Sequence, residues 1–110
     1  MLKVLLILSF ALTIIAVSAK GTFSNEKNPT ICDKNVKQYS GFFDLKQGNK
    51  SYFYWMFESR RTPSTDPILL WLTGGPGCSS ELALFTENGP CKVNSEGTDT
   101  TNNPYSWNTQ

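Results

Sequence analysis

The chain has 110 residues, of which 39% are apolar and 13% aromatic, and ten Lys and Arg against nine Asp and Glu give a formal charge of +1. This length allows one small domain at most, and a near-neutral charge gives no support for nucleic-acid binding through phosphate neutralisation. The chain has no histidine, which excludes a Ser-His-Asp or Cys-His proton relay and a His-ligated catalytic zinc within it.

Residues 1–19 have the pattern of a secretory signal peptide. Lys3 supplies a positive start, an apolar run from Val4 to Val17 follows, and small residues at its end predict cleavage after Ala19. A membrane-spanning helix is the alternative, but the run is shorter than the roughly twenty residues that a bilayer requires. We therefore predict a cleaved signal and no membrane association of the mature chain.

Two aromatic strands are predicted after a polar start. Residues 20–37 are polar with few apolar anchors, and we expect an extended N-terminal leader there. Residues 38–45 suit a strand with a bulge or bend at Gly41, and 51–58 are almost wholly aromatic. The Gly48-Asn49 turn between them predicts a β-hairpin, and we expect the aromatic run Tyr52–Phe57 to be buried in the sheet rather than to form a binding face.

The second half of the chain predicts a strand, a loop and a helix. A polar connection leads to Ile68–Leu72, which is apolar without alternation and is typical of a central strand covered on both faces. The Thr73–Gly77 loop follows, and then a helix with Ser79 or Ser80 at its N-cap and a left-handed cap at Asn88-Gly89 before Pro90. Residues 91–93 can form another short strand, and if the chain forms a sheet we expect a mixed or antiparallel piece followed by one helix.

A glycine-rich loop between a buried strand and a helix concentrates backbone N–H groups that can bind a phosphate or the oxyanion of an acyl-transfer intermediate. The phosphate-loop pattern fails because Gly77 is followed by Cys78-Ser79 instead of a lysine, and the dinucleotide pattern fails as well. An oxyanion site and a purely structural turn both remain open from the residues alone.

Secretion makes Cys32, Cys78 and Cys91 candidates for disulfide bonds. Since three is odd, at least one lacks a partner in the chain and is either a buried thiol or paired with sequence outside it. No Cys-x-x-Cys pattern or histidine is present, so we predict no metal site and no cofactor. Asn49-Lys50-Ser51 is an N-glycosylation acceptor at a predicted turn.

The loop and its flanks closely resemble those of the serine carboxypeptidases, which are α/β-hydrolases. The segment W-L-T-G-G-P-G-C-S-S from Trp71 to Ser80 is similar to the family signature W-L-N-G-G-P-G-C-S-S. Blocks in the same order flank it: Q-Y-S-G, the aromatic strand, D-P-I-L-L, E-N-G-P and N-P-Y-S-W-N. The resemblance covers residues 38 to 108 and implies the N-terminal part of an α/β-hydrolase sheet, consisting of a hairpin, a central strand, the loop and a short helix, and incomplete as a fold.

The resemblance implies roles for four residues. The backbone N–H of Gly75 would face the oxyanion, whereas Thr73, Gly74 and Glu87 would bind the terminal carboxylate of a peptide. A glutamate beside a carboxylate is reasonable only if the two share a proton, which suits an enzyme of acidic compartments. A solvated position at the end of a helix is the alternative for Glu87. Trp71 is interpreted as a large core residue rather than a substrate contact.

One departure from the family pattern and the absence of a nucleophile motif limit what the resemblance implies. Thr73 stands where the family mostly has asparagine, and a hydroxyl cannot replace the paired donors of a carboxamide. A threonine at this position resembles some carboxypeptidase-like acyltransferases. No serine lies in a G-x-S-x-G elbow, so no catalytic residue is assigned and the triad would lie downstream. Cys78 resembles a family cysteine paired with a distant one, while Cys32 and Cys91 pair either with each other or with residues outside the chain.

We therefore expect a signal peptide at 1–19, a leader at 20–37 and the N-terminal part of a secretory serine carboxypeptidase at 38–110. The full protein would act on peptide or protein C-termini and would be secreted, lysosomal or vacuolar, whereas the 110 residues alone would be inactive. An acyltransferase and a non-catalytic secreted polypeptide are the alternatives, and the sequence indicates no oligomeric state.

Overall fold

The structure is a computed structural model that describes residues 20–109, so the predicted signal peptide at 1–19 lies outside the described residues. Five strands and two short helices follow one another along the chain. They are β1 (Gly21–Lys27), β2 (Gln38–Leu45), β3 (Lys50–Phe57), α1 (Glu81–Thr86), β4 (Cys91–Val93), β5 (Thr100–Asn102) and a 3-10 helix (Trp107–Thr109).

Strands β1, β2 and β3 form an antiparallel sheet in that order. The predicted hairpin is confirmed as β2 and β3, with aromatic residues paired across the strands as β propensity favours. Phe42 lies opposite Phe53, and their ring centroids are 5.6 Å apart in an edge-to-face arrangement. The antiparallel sheet with one helix after the glycine loop agrees with the expected partial α/β unit.

The leader prediction for residues 20–37 is wrong in its first part, because β1 pairs with β2. The predicted bulge at Gly41 is also wrong, because β2 and β3 pair without a shift and the irregularity lies in β1 between Ser24 and Lys27. Glycine at position 41 instead allows β1 to lie close to β2. A Cβ there would lie 2.9 Å from the carbonyl oxygen of Ser24, so a side chain would push β1 away.

Asp44 links all three strands of this sheet through its carboxylate. The hydroxyl of Ser24 on β1 and that of Ser51 on β3 both donate to it, the latter at 2.5 Å. These two hydrogen bonds hold the pKa of Asp44 below its ordinary value of 3.8 because they favour the ionised carboxylate. The link persists at any pH at which Asp44 is charged.

The aromatic run of β3 is more exposed than the sequence predicts. Tyr52, Phe53 and Met56 are 55%, 47% and 45% exposed, whereas Trp55 and Phe57 are partly buried and stack on each other. The expectation of a buried run is therefore wrong for half of it, because no second layer covers this part of the sheet among the described residues.

The prediction of a central strand at Ile68–Leu72 is wrong for the described part of the chain, because these residues pair with no strand among residues 20–109. Ile68, Leu70 and Leu72 are 93%, 78% and 75% exposed. A strand exists only through hydrogen bonds to a neighbour, so the apolar pattern alone could not produce one here.

Helix α1 has Ser80 at its N-cap, one of the two predicted residues, but no side-chain capping bond. It ends at Thr86, and the predicted left-handed cap is wrong because Asn88 and Gly89 both lack a positive φ. Gly89 is instead required by packing, since a Cβ there would lie 2.0 Å from the carbonyl oxygen of Leu84.

Strand β4, which the sequence predicts, pairs with β5, which it does not. A disulfide bond joins Cys32 to Cys91 across 59 residues of sequence, and so ties the segment after β1 to β4. Cys32 and Cys91 therefore pair with each other, which is one of the two alternatives that the sequence left open, and Cys78 is free and exposed.

No helix in the described part of the chain is long and apolar enough to cross a bilayer.

Candidate functional site

The glycine-rich loop begins and ends on one serine side chain. The N–H of Thr73 donates to Oγ of Ser80 at 3.1 Å, and that hydroxyl donates to the carbonyl oxygen of Thr73 at 3.3 Å. Ser80 precedes α1 directly, so the loop is closed at its base by the residue that starts the helix. The hydroxyl is used for this closure, which explains why it does not cap the helix.

Three glycines in this loop have backbone conformations that other residues rarely adopt. The φ angles of Gly74, Gly75 and Gly77 are 81°, 146° and 87°, all in the region that favours glycine. A Cβ at Gly74 would lie 2.7 Å from Cβ of Cys78, whereas Gly75 and Gly77 face open space. The loop thus needs glycine for conformation at three positions and for close packing at one.

The amides of this loop are available to a ligand. Within residues 20–109, the N–H groups of Gly74, Gly75, Gly77 and Cys78 have no hydrogen-bond acceptor, and the loop is exposed from Gly74 to Ser79. Backbone donors that are fixed in direction and not used by the chain can stabilise a negatively charged oxygen. The loop is therefore a candidate oxyanion site that is open to solvent.

Glu87 lies at the opposite end of α1 from this loop. Its N–H donates to the carbonyl oxygen of Ala83 at 3.0 Å, so it follows the helix as its C-cap. Its carboxylate is exposed and has no hydrogen-bond or ion-pair partner in the described part of the chain. The structure brings Thr73, Gly74 and Gly75 together in one loop, but no hydrogen bond connects them to Glu87.

The backbone around Glu87 is held by the turn at residues 103–107. The side-chain amide of Asn103 donates to the carbonyl oxygens of Glu87 and Gly89 at 3.4 and 2.9 Å, and the N–H of Trp107 donates to that of Asn88 at 3.1 Å. The same turn reaches the start of the loop, because the rings of Trp107 and Trp71 meet edge to face at 4.8 Å. Trp71 is 37% exposed, so it packs against Trp107 but is not the buried core residue that the sequence predicts.

A buried polar cluster holds these elements in place, and we call it the Arg60 cluster. Nε of Arg60 lies 2.7 Å from Oδ2 of Asp33, which is 1% exposed. The guanidinium also donates to the carbonyl oxygens of Asn103 at 2.7 Å and Pro90 at 2.9 Å, and to the side chain of Asn102. Arg60 thereby connects the disulfide-linked segment to β4 and β5.

The Arg60 cluster is not predicted by the sequence pattern, because Arg60 stands beside Arg61 in a polar stretch of the kind that is usually exposed to solvent. The signal that could have identified it is weak: Asp33 follows Cys32 directly, and a disulfide partner of Cys32 would bring a carboxylate into the interior. In the structure, Asp33 follows the Cys32–Cys91 bond and lies next to Arg60.

Comparison with known proteins gives one family. The family profile described as serine carboxypeptidase matches residues 29–110. A carboxypeptidase Y homolog A of Sclerotinia sclerotiorum is 56% identical over 73 residues, which are 66% of this chain and 13% of the relative. Homologs of the same name are 55% identical over 73 residues in Fusarium vanettenii and 54% over 76 residues in Talaromyces stipitatus. The chain spans about one seventh of the length of these relatives.

Proposed function

Because the chain belongs to the serine carboxypeptidase family, we propose that its glycine loop is the oxyanion site of an enzyme that removes C-terminal residues from peptides. The observation that carries the proposal is the set of unused N–H groups from Gly74 to Cys78 in a loop of positive-φ glycines. Such donors stabilise the tetrahedral intermediate when a serine attacks the last peptide carbonyl. We assign the oxyanion contact to Gly75.

Thr73, Gly74 and Glu87 are proposed to bind the free carboxylate of the substrate. Thr73 and Gly74 adjoin Gly75, so a terminal carboxylate can lie beside the scissile carbonyl. Glu87 is exposed and its carboxylate has no partner in the described residues, which leaves it able to share a proton with a second carboxylate. This arrangement fits an enzyme of acidic compartments.

The chain supplies this site but no triad. It has no histidine, and its serines lack the nucleophile-elbow context, so the nucleophile, general base and acid belong to sequence outside these 110 residues. We accordingly propose that the chain by itself does not turn over substrate. Its place of action is the secretory pathway, with secretion or delivery to a lysosome or vacuole as the destination.

A free exposed thiol supports a further covalent link. Cys78 lies at the end of the loop and is unpaired and exposed, so we propose that it forms a disulfide bond with a cysteine of the remaining protein. The bond would fix the loop relative to the triad.

An acyltransferase is the second candidate, and Thr73 is the observation that favours it. A threonine at this position provides one hydroxyl donor instead of a carboxamide, which weakens recognition of a peptide carboxylate. A non-catalytic secreted polypeptide is the third candidate. If it is correct, a longer protein that contains these residues does not hydrolyse peptides either.

The decisive experiment transplants this segment into a relative. Residues 29–110 replace the matching segment of the Sclerotinia homolog, and release of C-terminal amino acids is measured at acidic pH. We expect activity, and a loss of roughly 10²–10³-fold in kcat for Gly75→Ala, because alanine keeps the N–H but rarely adopts a φ of 146°, so that the backbone shifts and the N–H turns away from the oxyanion. No such loss is expected for Gly77→Ala. Both glycines have positive φ and open space at Cβ, so Gly77→Ala controls for backbone strain.

Three results would change the assignment. Equal losses for both glycine variants would remove the oxyanion role of Gly75. A transplant that transfers acyl groups to alcohols and releases no amino acids would favour the acyltransferase. Turnover by the 110-residue chain alone would show that the triad is not needed.

A further inference from the structure

We propose that Asn49 carries an N-linked glycan at the tip of the β2–β3 hairpin. Asn49-Lys50-Ser51 is the one Asn-x-Ser/Thr triplet of the sequence whose middle residue is not proline. The proposal rests on the secretory location proposed above, but it does not depend on carboxypeptidase activity.

The backbone at the tip presents Asn49 to solvent. Asn49 lies in the turn between β2 and β3 with φ of 48°, and Gly48 before it has φ of 86°. Asparagine tolerates this left-handed conformation better than other residues with a side chain. All five residues from Gln47 to Ser51 are exposed, so a bulky group on Asn49 displaces no packed side chain.

One shallow cavity lies beside the acceptor. Gly48 and Lys50, its two neighbours, line a shallow cavity of about 340 Å³ that also borders Leu45 and Tyr52. Tyr52 is 55% exposed. An attached sugar therefore has room at the hairpin end and an aromatic ring nearby that it can partly cover.

The hydroxyl that completes the triplet is on the surface. Ser51 is exposed, and its Oγ donates to Oδ1 of Asp44 at 2.5 Å. This bond forms only when β2 and β3 are paired, because Asp44 and Ser51 face each other across the two strands. The hydroxyl is consequently free in the unpaired chain, and glycan transfer is expected before the hairpin closes.

The transfer uses a donor of the secretory lumen, an oligosaccharide linked through a diphosphate to a lipid. Nδ2 of Asn49 forms a bond to C1 of the first sugar, the bond between C1 and the phosphate oxygen breaks, and the amide nitrogen loses one proton. The lipid diphosphate leaves with the electron pair of the broken bond, and the proton passes to this diphosphate or to water. No residue of this chain is consumed other than Asn49.

Translation of the full chain in the presence of microsomes tests the proposal. Chains that are protected from added protease are treated with a peptide-N-glycosidase and analysed by mass. We expect a glycan on Asn49 of the native chain, its loss in Asn49→Asp and Ser51→Ala, and its retention in Ser51→Thr. Asn49→Asp keeps a side chain that tolerates the turn, and Ser51→Thr keeps the hydroxyl.

Pro29→Ala provides a matched control for accessibility to the transferase. It converts the blocked triplet at Asn28, which is exposed, into a second acceptor, and we expect two glycans on that variant. Protected native chains without a glycan would overturn the proposal. Absence of protected chains would overturn it as well, since translocation is required, and neither result depends on whether the transplant described above is active.

Discussion

Single residues decide what the glycine loop and its surroundings can do. Ser80 closes the loop through two hydrogen bonds to Thr73, and the glycines that follow keep their N–H groups free. Glu87 and Arg60 differ in the same respect. The carboxylate of Glu87 is exposed without a partner in the described residues, whereas the guanidinium of Arg60 donates four hydrogen bonds. Glu87 is therefore available to bind a ligand, whereas Arg60 stabilises the fold.

We expect Glu87→Gln in the transplanted enzyme to change how KM depends on pH. If Glu87 shares a proton with the substrate carboxylate, two like charges face each other as pH rises, and KM rises with it. Glutamine donates at every pH, so the variant should show a flatter profile. The measurement is KM from acidic to neutral pH for a peptide with a free C-terminal carboxylate, and the corresponding peptide amide is the control. Identical pH profiles of KM for Glu87→Gln and the unsubstituted transplant would exclude proton sharing.

Arg60→Ala should weaken the Cys32–Cys91 disulfide. Removal of the guanidinium leaves Asp33, 1% exposed, as a buried charge without an ion-pair partner and with only the N–H of Asn35 still donating to it, and breaking such a pair typically costs about 3–5 kcal/mol. Because that cost applies only when the two cysteines are together, their equilibrium constant for oxidation in glutathione buffers should fall at least about 100-fold.

Arg61→Ala is the matched control for that measurement. Arg61 is exposed, and its side chain has no hydrogen bond or ion pair among the described residues. An oxidation constant that is equal in Arg60→Ala and the native chain would show that the Arg60 cluster does not stabilise the disulfide.

Elements that depend on neighbouring sequence were predictable, and those that depend on distant sequence were not. The hairpin follows from aromatic patterns around Gly48-Asn49 and was found. Strand β1 was missed because its residues gain order only by pairing with β2. Ile68–Leu72 has the strongest strand pattern but remains unpaired in the described part of the chain. The glycine loop was correctly located because its conformation is local, whereas the Arg60 cluster arises from contacts between segments up to 43 residues apart.

The connection between β3 and the apolar segment should withstand acid until Asp66 is protonated. The hydroxyl of Ser59 donates to this carboxylate at 2.5 Å and the N–H of Thr62 at 3.0 Å, and both bonds hold the pKa of Asp66 below its ordinary value of 3.8. Since the pKa in the folded chain is lowered, the stabilisation is present above pH 3.8 and is lost as pH falls through the folded value.

Ser59→Ala removes the larger of these contributions and should move the pKa of Asp66 back toward 3.8. An NMR titration of the Asp66 carboxyl carbon measures this shift. Ser95→Ala is the control, because Ser95 bonds only to the neighbouring Glu96. An unchanged titration in Ser59→Ala would mean that the hydroxyl is not what holds the carboxylate ionised.

The exposed segment Ile68–Leu72 should cause the chain to associate. An apolar stretch with unpaired backbone groups pairs readily with another copy, and Leu70 is 78% exposed. Leu70→Lys should reduce association at high concentration in sedimentation velocity experiments. Ile31→Lys changes an isolated residue that is 59% exposed and should have less effect; equal effects would place the contact elsewhere.

At the scale of the whole molecule, half of the buried residues in the described part of the chain are polar. Cys32, Gly41, Ala83, Pro90 and Cys91 are buried there, together with the polar residues Asp33, Gln38, Ser40, Asn103 and Ser106. A polar interior of this kind is specific in its hydrogen bonds but contributes little burial of apolar surface. The large apolar side chains lie mainly outside it.

We therefore expect the 110-residue chain to lack a cooperative thermal transition. Folding must offset a conformational entropy cost of about 1–2 kcal/mol per residue, and fifteen large apolar residues remain exposed instead of contributing burial. Calorimetry with the disulfide formed should show a gradual change, and a dye that binds exposed apolar surface should fluoresce before heating. The transplanted protein is the control, since the same residues should there unfold with a sharp transition. A monodisperse monomer with a sharp transition and no dye binding would contradict this expectation, and it would mean that the Arg60 cluster and the Cys32–Cys91 bond suffice to hold the sheet and helix together.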